Sequence, residues 1–260
     1  MSRHRGSVVD SGVHTTLPFP DLLRLIEERT AAFCAAIAAA PDLDAPVPSC
    51  PGWTLYDLVQ HLGDGRRKWA EIVAAGPADA PPARTPAVAP REDLVAWMTE
   101  SSRLLVEALE ESGPDRGCWA WWSDFQSPRT TGTAARHQLQ EIAVHTYDAQ
   151  LTTGAPQPLP AEVALDGVEE FQTTCVATTS PWPHEPTIVD YHATEGRSWR
   201  VTLDAEGARV GDVPGTADAS FTGTASDLVL SFYGRKTAED LKGEGDHLRV
   251  FDRLVAWEPA

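Results

Sequence analysis

The chain has 260 residues, and 42% of them are hydrophobic, which is enough for a buried core in each of two domains. Its formal net charge of −17 argues against nucleic acid and anionic membrane surfaces as partners, because both attract basic patches. No run of eighteen apolar residues occurs, and the N-terminus has no hydrophobic signal core. We therefore expect a cytoplasmic protein.

The first two predicted helices follow a short N-terminal tail. Apolar residues recur at helical spacing over residues 19–39, and Pro41 ends this helix. The second helix starts after Thr54, which is expected to form a capping box with Asp57, and it ends at Gly76.

Two more helices are predicted after a loop rich in proline and alanine at residues 76–90. The helical pattern resumes at Leu94, and a fourth helix begins near Thr133 and ends before Gly154. Four helices of this length predict a bundle, and bundle cores are where metal sites are built from facing helices.

The remainder of the chain alternates short strands with helices. The predicted elements are a helix at 161–175, strands at 188–193, 199–203 and 218–222, a hairpin turn at 205–207, and helices at 224–233 and 246–256. Such an order predicts an α+β domain. The predicted organisation is a tail at residues 1–17, a helix bundle at 18–155 and a small α+β domain at 156–260.

Two histidines and one glutamate form a candidate metal site. His61 lies early in the second helix, and Glu141 and His145 lie four residues apart on one face of the fourth. Two imidazoles and a carboxylate suit Zn²⁺, and three protein ligands leave a fourth position open. If the three residues converge, the site is catalytic rather than structural.

The fourth helix allows another interpretation. His137, Glu141, His145 and Asp148 form one polar stripe, and apolar residues such as Leu139 fall on roughly the opposite side. A Glu/His pair at this spacing is common, so spacing alone favours a solvated helix face.

The four cysteines, Cys34, Cys50, Cys118 and Cys175, are far apart and form no Cys-x-x-Cys motif. They indicate neither a disulfide framework nor a thiolate zinc cluster. Cys50 precedes the His61 helix, where a thiol of low pKa is conceivable. A buried or spectator cysteine is favoured, because Pro51 and Gly52 separate it from the helix cap.

Three stretches of the sequence give evidence beyond residue spacing. Residues 47–62, with Pro51-Gly52-Trp53 before His61, and residues 140–149 resemble the mycothiol-dependent maleylpyruvate isomerase family of actinobacteria. Residues 218–230 and 233–235 resemble the small C-terminal α/β domain of that family, which is itself similar to sterol-carrier folds. The Pro-Gly-Trp motif followed by a histidine in the second helical turn is fairly specific to this family. The Glu/His pair alone is weak evidence for it.

The resemblance implies a DinB-like four-helix bundle whose zinc, or other divalent metal, is held by His61, Glu141 and His145. It also implies mycothiol as a thiol cofactor or co-substrate, held as thiolate by the metal. In an isomerase the thiolate adds to the cis double bond of an unsaturated dicarboxylate, the resulting single bond rotates, and elimination gives the trans isomer. In an S-transferase the thiolate attacks an electrophile and stays attached.

Two further residues receive roles from the resemblance. Asp148 is expected to support a ligand or to position the thiol, and Arg235 is expected to clamp a carboxylate of the substrate or cofactor. On sequence alone a helix-terminal role for Arg235 is equally plausible. Arg66 and Arg67 are the other candidate cations near His61, and a solvated helix flank is the favoured interpretation for Arg66, Arg67 and Lys68 on sequence alone.

Residues 118–125 contain three tryptophans and one phenylalanine between the third and fourth helices. They are expected either to roof a pocket above the metal or to plug the end of the bundle.

Two other classes of function remain open. One is a hydrolase in which zinc activates water and no thiol takes part. The other is a non-catalytic bundle that binds a ligand. For the enzyme we expect a small-molecule substrate and a low-molecular-weight thiol as partners, and a monomer or weak homodimer.

Overall fold

The structure is a computed structural model that describes residues 16–257, so nearly all of the predicted tail lies outside the described residues. The bundle consists of α1 (Phe19–Ala39), α2 (Leu55–Ala75), α3 (Leu94–Ser112) and α4 (Thr131–Thr152). The predicted helices and their order are confirmed. None of the helices within residues 16–257 is both long and apolar enough to cross a bilayer.

The start of α2 is set by the predicted capping box. The Thr54 hydroxyl accepts a hydrogen bond from the Asp57 amide, and the Asp57 carboxylate accepts one from the Thr54 amide. The helix ends at Gly76, whose φ of 80° other residues rarely adopt. Both ends of the helix that carries His61 are therefore determined by local sequence.

The C-terminal part is a five-stranded sheet with helices packed on it. Its elements are α5 (Ala161–Phe171), β1 (Thr187–Ala193), β2 (Ser198–Asp204), β3 (Gly207–Val210), β4 (Ala219–Gly223), α6 (Ala225–Phe232), β5 (Lys242–Gly245) and α7 (His247–Ala256). The strand order is β3-β2-β1-β4-β5, and among these five described strands only the β1–β4 pair is parallel. The prediction of a helical bundle followed by an α+β domain is confirmed.

Three local features differ from the prediction, and the first is strand β3, which was implied only by the predicted hairpin turn at 205–207. The predicted helix at 161–175 changes at Gln172 into a π-helical turn that runs to Val176. Strand β5 was not predicted, because its sequence Lys-Gly-Glu-Gly has no apolar alternation. It pairs with β4 at the edge of the sheet.

The two parts of the chain meet where α5 packs against α4. The Nε–H of Arg136 in α4 is shared between the two carboxylate oxygens of Asp166 in α5, each 2.9 Å from Nε. Gly167 lies beside the buried Gln140, and a Cβ built on this glycine would lie 2.4 Å from Gln140 Oε1. The missing side chain allows α5 to approach the turn of α4 that precedes Glu141.

We expect Gly167→Ala to destabilise the protein by about 1–3 kcal/mol, because the added methyl group overpacks a buried contact. Gly65→Ala is the matched control, since a Cβ there would have no neighbour within 4 Å. The control is expected to be neutral or to stabilise by up to about 1 kcal/mol. Urea unfolding of both variants tests this, and equal stabilities would contradict the close α4–α5 contact.

Candidate metal centre

The three predicted ligands converge between α2 and α4. His61 Nε2 lies 2.9 Å from Glu141 Oε1, and His145 Nε2 lies 3.7 Å from the same oxygen. One ligand atom from each residue lies within 4.8 Å of the other two. The His61 side chain is 42% exposed, so the group opens to solvent on the α2 side.

The polar stripe of α4 faces the interior of the protein. Asp148 is 0% exposed and His137 is 8% exposed, and Leu139 and Ala143 on the opposite side are buried as well. The interpretation of a solvated helix face is therefore wrong. The reason is tertiary, because α4 packs against α1, α2 and α5 and has little surface left for solvent.

Glu141 is a carboxylate among imidazoles. Burial opposes ionisation of this group, but the hydrogen bond with His61 and the charge of His145 outweigh burial and lower the pKa of Glu141 to about 2. Glu141 is therefore an anionic oxygen donor at neutral pH.

Asp148 fixes the orientation of His145. The Nδ1 atom of His145 lies 2.8 Å from Asp148 Oδ2, which leaves Nε2 directed towards Glu141. Burial opposes ionisation of Asp148, but hydrogen bonds with His145 and Arg235 hold its pKa well below the usual range. Carboxylates that hold the second nitrogen of a histidine in this way commonly stand behind metal ligands.

Arg235 reaches this group from the C-terminal domain. Its Nε and one terminal nitrogen donate to the two Asp148 oxygens at 3.0 and 2.6 Å, and the other terminal nitrogen donates to the Tyr233 carbonyl at 2.6 Å. The planar guanidinium group of Arg235 is thus bound to the carboxylate of Asp148. A salt bridge joins the two domains directly behind His145.

The sequence did not indicate how close Ser49 and Cys50 lie to this group. The Ser49 hydroxyl donates to Asp148 at 2.6 Å, and Cys50 Sγ lies 3.5 Å from Asp148 and 3.3 Å from Arg235. Burial and the Asp148 charge raise the pKa of Cys50 to about 11, so it is a thiol at neutral pH. The idea of a low-pKa cysteine is wrong, because the residue faces a carboxylate instead of a helix N-terminus.

Trp53 forms one wall of the site. Its ring centroid lies 4.8 Å from that of His61 and 6.3 Å from that of His145. The Pro51-Gly52-Trp53 motif was the signal available in the sequence, since it places a large ring just before the helix that carries His61.

A cleft of about 520 Å³ extends from the candidate ligands His61 and Glu141 along α2 and α4. His61 and Glu141 line it together with Lys68, Trp69 and Trp121. Two tryptophans of the aromatic connection at 118–125 differ in their surroundings. Trp121 borders the cleft and is 53% exposed, while Trp122 is 2% exposed and its ring packs on those of Trp69 and His137.

Arg66 is buried, so the prediction of a solvated flank is wrong for this residue. It is 1% exposed and donates to Gln138 Oε1 at 3.2 Å, while two of its guanidinium nitrogens have no partner among the described residues. Burial lowers the pKa of Arg66 to about 10. The cause is the packing of α2 on α4, which places this side chain between the two helices.

Comparison with known proteins identifies the family. The family model described as the mycothiol maleylpyruvate isomerase N-terminal domain matches residues 23–150, and the model of the C-terminal domain of the same family matches residues 162–250. The chain belongs to the mycothiol-dependent maleylpyruvate isomerase family. Membership confirms the prediction of an isomerase-like enzyme.

Solved structures show the same fold in this family. One is the crystal structure of a mycothiol-dependent maleylpyruvate isomerase, whose sequence is 16% identical to this chain. The two structures superpose with a TM-score of 0.55 over 88% of this chain and 93% of the other. A histidine-to-alanine mutant of a mycothiol-dependent maleylpyruvate isomerase is 15% identical, with the same coverage and TM-score. No protein of curated function matches the sequence.

Proposed function

We propose that this protein is a divalent-metal enzyme, with zinc as the preferred metal, that uses mycothiol to isomerise the cis double bond of a small unsaturated dicarboxylate. His61, Glu141 and His145 are the proposed ligands. The observation that carries the proposal is the convergence of their donor atoms within 4.8 Å at the end of a cleft. This donor set matches the nitrogen and oxygen ligands of catalytic zinc sites.

A second group of donors, Cys50, His145 and Asp148, also lies within 4.8 Å. We favour the first group. Asp148 is already held by Arg235 through two hydrogen bonds and Cys50 lies against the same arginine, whereas His61 and Glu141 line the open cleft.

A metal bound here would hold a thiol as thiolate at neutral pH, which is the nucleophile that an isomerisation by addition and elimination requires. The residues of the chain provide the surroundings. Glu141 is anionic and offsets part of the positive charge, Trp69 and Trp121 give the cleft apolar walls, and Lys68 supplies an ammonium group for a substrate carboxylate.

We propose that Asp148 and Arg235 take part in catalysis by positioning. Asp148 holds Nδ1 of His145, and Arg235 holds Asp148 through a bidentate pair. The expectation that Arg235 clamps a carboxylate of the substrate or cofactor remains the alternative, and one variant separates the two.

We expect Arg235→Lys to lower both metal affinity and kcat/KM by about tenfold, because lysine keeps the charge but loses the planar fork. The matched control is Arg200→Lys, since Arg200 forms a similar bidentate pair with Asp190 elsewhere in the same domain. Competition with a metal chelator measures affinity. A fall in kcat/KM with unchanged metal affinity would support direct binding of a substrate or cofactor carboxylate by Arg235. If neither quantity changes, Arg235 has only a structural role.

The proposed function is tested by turnover of maleylpyruvate with metal-loaded and metal-stripped protein, with and without mycothiol. We expect the trans isomer to form only when metal and mycothiol are both present. Esters or amides that are cleaved without mycothiol would support a hydrolase instead. Products that retain the thiol, seen by mass spectrometry, would support S-transfer, and absence of turnover would favour a binding protein.

We further propose a cytoplasmic protein that is a monomer or a weak homodimer, with a small-molecule substrate and a thiol as its partners. All four cysteines are free, which agrees with a reducing compartment. Light scattering across a concentration series tests the oligomeric state.

A further inference from the structure

A second cavity lies within the C-terminal domain. It shares no lining residue with the cleft that His61 and Glu141 line. Its volume is about 180 Å³, and it lies between the π-helical turn, the sheet and α7. Phe171, Val189, Val201, Phe221 and Trp257 are among its lining residues, and no lining residue described by the structure is charged.

Gln172 is the unusual member of this lining. It is 1% exposed, and neither its amide oxygen nor its amide nitrogen has a hydrogen-bond partner among the described residues. A buried polar group left unpaired costs about 1–3 kcal/mol. A ligand that pairs with this amide would recover that free energy.

The backbone at Gln172 explains why the amide lies there. Its carbonyl accepts the Ala177 amide at 2.8 Å, five residues further on, which closes the π-helical turn. Such turns are rare and occur frequently at functional sites. The turn rotates the chain after Phe171 and places Gln172 and Cys175 together on the cavity wall.

We propose that this cavity is a binding site for a small neutral molecule with one aromatic ring, or a short chain of equal size, and a primary amide or similar donor–acceptor pair directed at Gln172. The volume suits one ring, since an apolar cavity of about 150 Å³ holds benzene. A charged ligand is disfavoured, because burying an unpaired charge costs far more than burying a neutral polar group.

The cavity has an opening to the surface at α7. Val255 lines the cavity and is 71% exposed, so the last turn of this helix borders the entrance. Trp257, which also lines the cavity, provides a fluorescent reporter within contact distance of a ligand.

The test uses the full-length, metal-loaded protein and three probes of equal ring size, namely benzamide, toluene and benzoate. We expect benzamide to bind at least about tenfold more tightly than toluene, which corresponds to about 1.4 kcal/mol, and benzoate not to bind. Calorimetry measures the affinities, and tryptophan fluorescence reports occupancy. Failure of benzamide to bind at its solubility limit would overturn the proposal.

Two variants locate the site. Gln172→Leu is expected to lower benzamide affinity about tenfold without weakening toluene binding, and to raise the melting temperature because it removes an unpaired buried amide. Val201→Phe, which fills the cavity, should abolish binding of both probes. The exposed Gln157→Leu is the control and should change neither.

Equal benzamide affinity in wild type and Gln172→Leu would overturn the proposal, even if Val201→Phe does not fold. Thiol-dependent turnover is expected to be unchanged in Gln172→Leu, since Gln172 lines the second cavity and not the cleft that His61 and Glu141 line. The binding experiment therefore tests this cavity independently of the proposed enzymatic activity.

Discussion

His145→Ala is expected to release the metal and to abolish thiol-dependent turnover. The variant removes Nε2, one of three converging donor atoms, while the Asp148–Arg235 pair behind it stays intact. Loss of a supporting residue alone commonly lowers metal affinity 10–100-fold, so we expect loss of a ligand to exceed about 100-fold. Plasma emission after dialysis should fall from about one metal per chain to near zero. His61→Ala should give the same result.

The matched control is His184→Ala. His184 is exposed, and its ring contacts only Trp182 among the aromatic contacts of the described residues. This variant should keep its metal and its activity. A double variant of His61 and His145 that still holds one metal per chain would contradict the proposed site.

The second large effect is expected for Asp148→Ala. It leaves the largely buried Arg235 guanidinium without its carboxylate partner, which costs about 3–5 kcal/mol. The melting temperature should fall by at least about 6 °C for a chain of this size. Metal affinity should fall about 10–100-fold, because nothing then holds Nδ1 of His145. Calorimetric melting and chelator competition measure the two effects separately.

Replacing Arg235 as well gives the control for this variant. Asp148→Ala combined with Arg235→Met removes the unpaired charge, so part of the lost stability should return while metal affinity stays low. An Asp148→Ala variant with wild-type stability and wild-type metal affinity would contradict the positioning role.

The same carboxylate predicts a pH dependence. Because the folded-state pKa of Asp148 is lowered, its contribution to stability is fully present above the unfolded-state value of about 3.9 and is lost as the pH falls towards the folded-state value. Urea unfolding should therefore show a difference between wild type and Asp148→Asn that is largest near neutral pH and shrinks below about pH 4. A difference that grows on acidification would have the wrong sign.

Much of the fold was predictable because its signals are local. The helix at 19–39 has the predicted limits, and the Thr54–Asp57 capping box marks the start of α2 as expected. Elements without a local signal were missed. The strand Lys242–Gly245 exists because β4 offers it an edge, and the π-helical turn after Phe171 depends on what packs around it.

The sequence by itself determined the helix face that carries the proposed ligands. Glu141 and His145 are one helical turn apart and must project together, and the Pro-Gly-Trp motif with its cap sets where His61 falls on α2. The tertiary structure alone decided what surrounds that face. The contact of Arg235 with Asp148 joins residues 87 positions apart, and Arg66 is buried only because α2 packs on α4. Periodicity and capping act within a few residues, whereas such contacts depend on how whole helices and domains pack.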